Sequence, residues 1–562
     1  MHTVHRGDVD GVACFWVDSG RPTLNARLTF RHGFADEALP ASGWTHLLEH
    51  LALHGRGGGR LAVNGQVSTM HTSFDAHGPA ELVAEHLHAV ASFLREPRLD
   101  DLAHEREVLA AEAALRGGPV VRAFGQRYGA RGPGVCAYGE PGLSRATPER
   151  LRDLAATAFG AANAVLVLDG PPPAGLRLDL SEGSRRPAPD ATPCDVVHPE
   201  GYTDEDGLVL SGLVRRSTPA TLLPDVLQRA LFDDLRVEAA GAYAPWSTYE
   251  RVDSGHAVVL AGSDLSPTLL PSVVDRTFAM LDRLATEVPH GHVRDAVESR
   301  VQQMTDPYAA VGLAWSAASR HLDDEPVGSP QDWLDEVRAV GPHDLQSAVG
   351  ELVEQLSVAH PRAAGAHPRL HYPGQPLTEP VRAGRRHRHR NWPAVRDTMG
   401  TDGTVLHLNA PDGGPAVVVD AAAAEVVVRG EHGALTVVDP DGWSTTVDPR
   451  EWRRGQVLSD VVIATADPER LVDSLRPDDA WRRASFGARW RHGTRPLLRG
   501  RRAVQTYVVA FPSVIVAGVA TDVLPGVTMI GALGFVWSVV LTRHHERRAQ
   551  KKAGRAAEQA AA

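Results

Sequence analysis

His46-Leu47-Leu48-Glu49-His50 lies near the start of a chain of 562 residues. Around it, residues 44–54 are apolar at Leu47, Leu48, Leu51, Ala52 and Leu53, with no Pro or Gly inside, so the segment predicts a helix. In a helix His46 and His50 lie one turn apart on one face, with Glu49 beside them. Two imidazoles at that spacing can share one zinc ion at about 2.0–2.1 Å each. Glu49 is then placed to take a proton from a water that zinc has acidified to a pKa of about 7.

A catalytic zinc takes three protein ligands and keeps one position open. Glu112 is the candidate third ligand. It closes Glu105-Arg106-Glu107-Val108-Leu109-Ala110-Ala111-Glu112, inside a second helical pattern at residues 102–115. Glu105, Val108, Leu109 and Glu112 fall on one side of that helix. Glu105 is placed to orient a ligand histidine from behind. The chain has 27 His, and at that composition H-x-x-E-H arises by accident in about one chain in ten. The alternative reading is a pair of surface histidines on an Ala/Leu helix.

The wider pattern resembles the pitrilysin/insulinase type of zinc peptidase, the inverzincins, which include the mitochondrial processing peptidase. That family reads G-x-x-H-x-x-E-H-x-x-x-x-G around its first helix, and Gly43, His46, Glu49, His50 and Gly55 stand at those places. Its third-ligand segment, E-R-x-V-[IL]-x-x-E, is matched from Glu105 to Glu112 at every fixed position. Val63-Asn64-Gly65-Gln66-Val67-Ser68-Thr69 looks like the intervening strand, residues 81–94 like the helix after it, and Pro97 like the family proline. Tyr138-Gly139-Glu140-Pro141-Gly142 looks like its glycine-rich turn, residues 147–151 like the following helix, and residues 162–170 like its closing strand. The spacing from His50 to Glu112 is shorter than the family usually shows. The missing residues fall between Gly55 and Asn64.

The family pairs its zinc domain with a degenerate repeat that lacks the metal ligands but carries an Arg and a Tyr. Arg236 and Tyr243, in Leu235-Arg236-Val237-Glu238-Ala239-Ala240-Gly241-Ala242-Tyr243, match that pair. A guanidinium and a phenol can bind substrate backbone and developing oxyanion charge. The alternative is an ordinary helix-end Arg and a loop Tyr. The resemblance thus implies an α+β chain with two tandem pitrilysin-like α/β repeats. It implies one Zn2+ per chain on His46, His50 and Glu112, with Glu49 as base and Glu105 behind the ligands. Peptides or unfolded polypeptides are the implied substrates, with the strand at Asn64 pairing with them by β-addition. Because the Arg/Tyr pair acts on a partner's zinc, a second pitrilysin-type chain is implied, either another copy or a related chain.

The length predicts three or more domains. Cys14, Cys136 and Cys194 are odd in number and lack metal spacing, which suits a reducing compartment. Residues 1–10 carry no apolar signal core. Lys551 and Lys552 are the sole lysines, a coding bias that suggests a GC-rich bacterial genome. The zinc domain is expected at residues 1–182, a Pro-rich linker at 183–197 and the degenerate repeat at 198–362. A basic linker follows at 363–400. Its Arg385-Arg386-His387-Arg388-His389-Arg390 reads as a solvated run, with anionic lipid or nucleic acid as the alternative. No nucleic-acid module accompanies it, and no nucleic-acid partner is expected.

Residues 401–485 hold short β-rich runs between Gly, Asp and Pro turns. They predict a small antiparallel sheet or barrel ending in a helix near 468–475. A pleckstrin-homology-like module fits that pattern. Residues 503–541 are almost continuously apolar, broken by Asp522 and Pro525-Gly526. One helix of that length runs about 58 Å, against about 30 Å of bilayer core, so a transmembrane hairpin fits better. Arg495, Arg499, Arg501 and Arg502 before it, and Arg543, Arg547, Arg548, Lys551 and Lys552 after it, favour both ends in the cytoplasm. Residues 542–562 would be a basic cytoplasmic tail. A buried helical pair or a re-entrant segment is the alternative. The chain therefore reads as a zinc endopeptidase tethered to a bacterial cytoplasmic membrane, catalytic domains facing the cytoplasm. Its rivals are a non-catalytic pitrilysin-like scaffold and a membrane adaptor whose β domain binds a partner.

Overall fold

The computed structural model describes residues 3–475, apart from 114–116, 190, 240–241, 243, 307–309, 379–384, 410–414 and 431. Tyr243, the expected hairpin at 503–541 and the basic tail lie outside the described residues. Among the described residues no helix is long and apolar enough to cross a membrane.

The first lobe opens with strands β1 (His5–Val9), β2 (Val12–Trp16) and β3 (Leu24–Phe30), then helix α1 (Trp44–Leu53). Strands β4 (Ala62–Val67) and β5 (Thr72–Gly78) follow, then α2 (Ala80–Arg95), α3 (Leu102–Ala113), α4 (Pro119–Tyr128), α5 (Pro148–Ala158) and β6 (Ala164–Leu168). The sheet order is β1-β2-β6-β3-β5-β4. β2 and β6 run parallel; the other neighbours are antiparallel. Leu47, Leu48 and Leu51 of α1, Leu87 and Val90 of α2 and Leu151 of α5 pack in one core with Leu28, Phe30, Phe74 and Leu166 of the strands. The helical period places these residues on one stripe, and the strand period places their partners on one sheet face.

The second lobe contains β7 (Glu200–Thr203), β8 (Leu208–Arg215), α6 (Thr218–Leu231), β9 (Trp246–Arg251) and β10 (His256–Ser263). Helices α7 (Val273–Thr286), α8 (His290–Thr305), α9 (Val311–Leu322), α10 (Pro330–Ala339) and α11 (Pro342–Glu354) lead to β11 (Ser357–His360). Its sheet order is β7-β11-β8-β10-β9, with β7 and β11 parallel and the rest antiparallel. That is the first sheet's order and strand polarity without β1. The second lobe repeats the topology of the first.

Each lobe lends a helix to the other. Leu313, Ala314, Ala317, Ala318 and Leu322 of α9 cover Phe15, Val17, Val165 and Val167 on the far face of the first sheet. Ala123, Phe124 and Tyr128 of α4 cover Val209, Val258, Leu260 and Ala359 on the second. Buried polar groups fix both crossings. The Arg127 side chain donates to the carbonyls of Ser211 (3.0 Å) and Gln355 (2.8 Å). Asp323, just after α9, lies 2.7 Å from Arg251, 3.2 Å from Arg216 and 3.6 Å from His71 of the first lobe. The expected linker at 183–197 also lies against the first lobe: Pro187 accepts a hydrogen bond from buried Arg31 at 3.1 Å.

A third unit holds β12 (Arg385–Arg388), β13 (Thr398–Thr401), β14 (Leu406–Asn409), β15 (Ala416–Val419), β16 (Val426–Arg429), β17 (Leu435–Val438), β18 (Ser444–Val447), α12 (Gln456–Thr465) and β19 (Leu471–Asp473). They form two four-stranded sheets, β12-β13-β14-β15 and β18-β17-β16-β19. Two expectations for this region are corrected. The basic run is not linker: it is strand β12, with His387 buried and the arginines exposed. The closing helix is at Gln456–Thr465, not 468–475. Pro468 begins a single 3-10 turn, and the apolar pair Leu471-Val472 completes a sheet beside β16 instead.

Burial alone would raise the Asp323 carboxyl, but His71, Arg251 and Arg216 reverse this and hold it at about 2, below its ordinary 3.8. A depressed folded pKa means that the ionised group stabilises the fold above the unfolded pKa and loses that effect as pH falls. Asp323→Asn is expected to lower unfolding free energy at pH 7 by about 3 kcal/mol, since it leaves buried cations uncompensated. Urea unfolding across pH should also show a shallower acid limb in the variant, between 3.8 and about 2.

Candidate active site

α1 is set by what stands at its start. Gly43 precedes it in the left-handed conformation, φ 89°. A Cβ there would come within 2.8 Å of the Glu140 Cβ. The buried Glu37 carboxylate accepts the backbone N–H groups of Gly43 (2.9 Å) and Thr45 (2.7 Å). It thereby serves orphan donors at the helix N-terminus. Burial pushes the Glu37 carboxyl up to about 7, against the pull of those hydrogen bonds. With Leu47, Leu48, Leu51 and Ala52 buried below, the opposite face presents His46 and His50.

The two imidazole rings stand 4.6 Å apart, nearly perpendicular. His46, Glu49 and His50 offer ligand atoms that all lie within 4.8 Å of one another. Glu49 Oε2 is 3.8 Å from His46 Nε2 and 3.9 Å from His50 Nε2. The Nδ1 atoms face away, toward carboxylates. His50 Nδ1 is 3.1 Å from Glu105 Oε2, and His46 Nδ1 is 3.2 Å from Glu140 Oε1. Glu105 also holds His54 Nδ1 at 2.6 Å. Burial works to raise the Glu105 carboxyl, but the hydrogen bonds of His54 and His50 prevail and hold it below the usual range.

Glu112 Oε2 reaches within 3.8 Å of His50 Nε2. It stands at the end of α3 with its side chain 47% exposed, outside the tight trio. Zinc ligands at about 2.1 Å in a tetrahedron lie about 3.4 Å apart, and the 3.8 Å between Glu112 and His50 is close to that spacing; two imidazoles and one carboxylate are a donor set that zinc takes. Both histidines have their second nitrogens facing carboxylates, the arrangement that fixes an imidazole with Nε2 toward a metal. The residues fit zinc.

β4 is the edge strand of the first sheet. Asn64 is exposed on it, and Gly65 faces inward. A Cβ on Gly65 would fall 1.7 Å from Glu49 Oε1, so only glycine lets the carboxylate rest against this strand. The structure thus brings together His46, Glu49, His50, Glu105 and Glu112, with β4 alongside. Arg236 stands in the second lobe, exposed, in a π-helical turn after α6, its guanidinium 5.3 Å from the Phe232 ring. In the sequence Glu140 reads only as part of a glycine-rich turn. A carboxylate between Gly139 and Pro141 was the one signal available.

No protein-family profile matches the chain, and no curated protein matches it. Solved structures do. A protease from Helicobacter pylori superposes with a TM-score of 0.53 at 14% identity, over 64% of this chain and 99% of that one. A peptidase M16 inactive domain from Pseudomonas fluorescens gives 0.52 at 13% identity, over 63% and 97%. The first half of the periplasmic protease PqqL from Escherichia coli gives 0.50 at 13% identity, over 66% and 94%. At such identities the likeness is one of fold. The chain carries the pitrilysin-like fold of M16 peptidases, which proteases share with a domain described as inactive.

Proposed function

We propose that this chain is a zinc-dependent endopeptidase that cuts peptides or unfolded polypeptides by adding water across a peptide bond. The convergence of His46, His50 and Glu49, with Glu105 and Glu140 behind the two imidazoles, carries this reading. His46, His50 and Glu112 would hold the metal. Zinc, when bound, supplies Lewis acidity that polarises the scissile carbonyl and acidifies the attacking water. Glu49 accepts that water's proton and passes it to the leaving amine. Its burial beside Gly65 keeps the carboxylate oriented. β4 offers its outer edge to an extended substrate, so that Asn64 and its neighbours add the peptide as a further strand.

Arg236 and Tyr243 would complete the site of a second pitrilysin-type chain, binding substrate backbone and oxyanion charge there. The apolar residues 503–541 would tether the enzyme to a bacterial cytoplasmic membrane, with the catalytic lobes on the cytoplasmic side. One observation favours a second reading, a non-catalytic scaffold: a domain described as inactive shares the fold at a TM-score of 0.52. The His46, Glu49 and His50 cluster, with Glu112 3.8 Å from His50, weighs against it.

The full chain and its Glu49→Gln variant, given a mixed peptide library, should both hold one zinc. The variant should cut about 100- to 10,000-fold more slowly. Zinc in neither protein would favour the scaffold. Mixing Glu49→Gln with Arg236→Ala chains should restore part of the activity if each site draws on two chains; absence of recovery after subunit exchange would count against sharing. Gly65→Ala should also depress turnover by at least about 100-fold while zinc stays bound, because the new methyl displaces the Glu49 carboxylate. Unchanged turnover in that variant would remove Glu49 from the role of base.

A further inference from the structure

We propose that the C-terminal β module braces the metal site: by docking on residues 138–145 it holds Glu140 against His46, and so sets how tightly the metal is held. This rests on the zinc reading above and assigns Glu140 as a positioning residue.

The two ligand histidines are supported unequally. Glu105, behind His50, projects from α3, a regular helix anchored by buried Leu102 and Leu109. Glu140, behind His46, belongs to a turn and adopts φ 56°, ψ 56°. Side chains with a Cβ rarely take that left-handed conformation, and it persists where the surroundings fix it. On one side those surroundings are α1 and its approach. The Trp44 indole donates to the Gly142 carbonyl at 2.8 Å, and Gly142 N–H donates to Ser42 Oγ at 3.4 Å.

On the other side they are the β module. Arg145 donates to the carbonyls of Pro468 (2.6 Å) and Leu471 (3.0 Å). Asp473 N–H donates to Ser144 Oγ at 3.1 Å. Val426, Val428, Val438 and Val472 of the module share one buried cluster with Val135, Ala137 and Tyr138 of the zinc lobe. A small cavity between the two is lined by Ala110, Glu140, Leu143, Val428 and Leu475. The turn that carries Glu140 is therefore clamped between the metal helix and the module. Loosening the module would leave His46 with its ring orientation unfixed, while His50 kept its own support.

Zinc affinity of the full chain, measured by competition with a chromogenic chelator, tests this without reference to catalysis. Glu140→Gln should weaken zinc binding 10- to 100-fold, the usual cost of losing a carboxylate behind a ligand histidine. Arg145→Ala, which touches neither metal nor ligand, should weaken it several-fold, and Arg145→Lys should do so in a chain that keeps the cation. Combined with Glu140→Gln, Arg145→Ala should add little, because both act through one contact. Arg215→Ala removes an exposed ion pair to Glu351 in the second lobe and should leave affinity unchanged. Parental affinity in both Arg145 variants, with faster hydrogen exchange at residues 471–473 showing the module loosened, would overturn the proposal. So would full additivity with Glu140→Gln. A parent chain that binds no zinc would overturn the zinc reading itself, and this inference with it.

Discussion

Two sheets with two apolar faces each need four covers, and each lobe makes only one of its own. The far face of the first sheet is closed by α9 of the second lobe, and that of the second sheet by α4 of the first. Everything else depends on this exchange. It leaves neither lobe a complete core by itself, since burying several Leu, Val and Phe side chains contributes about 1.5–3 kcal/mol apiece. It also fixes the angle between the lobes, because a helix lying on a sheet has few ways to pack. Helix α1, which carries His46, Glu49 and His50, rests on the near face of a sheet whose far face is held by the other repeat, so its position is defined from both sides.

The repeats share strand order and polarity, and their differences divide the labour. After β3 the chain enters α1, with two imidazoles and a carboxylate on its open face. After β8 it enters α6, where Pro224 interrupts the sequence and a π-helical turn carries Arg236 outward. The same architecture thus supports a donor cluster in one lobe and an exposed guanidinium in the other. The last strands of the two sheets differ as well. β4 carries Gly65 where Glu49 must approach, whereas β9 carries Arg251, which joins the Asp323 cluster.

Much of the fold and most of the site were legible in the sequence. The spacing of His46, Glu49 and His50, and of Glu105 and Glu112, is a local property of helices, and the structure gathers all five. The strands of the two lobes were visible as apolar runs between turns. The exchanged helices were not. Ala314, Ala317 and Ala318 of α9 are small, and nothing in their pattern says that they face a sheet in the other lobe. Glu140 escaped because its role comes from a turn conformation and from two distant elements pressed against it. Strand β12 was hidden by its arginines, which read as solvated linker until His387 is seen pointing inward. The helix after β18 was misplaced because Val457, Val461, Val462 and Ile463 look like strand residues, while Pro468 looks like a helix start. Tyr243 and residues 503–541 lie outside the described residues.

The exchange of helices also sets a timetable for synthesis. Phe15, Val17, Val165 and Val167 are finished once β6 leaves the ribosome, yet their cover, α9, begins about 140 residues downstream. At roughly 5–20 residues per second an apolar sheet face stays open on the order of ten seconds, with α1 already packed on its other side. A nascent first lobe is therefore sticky by design of its topology.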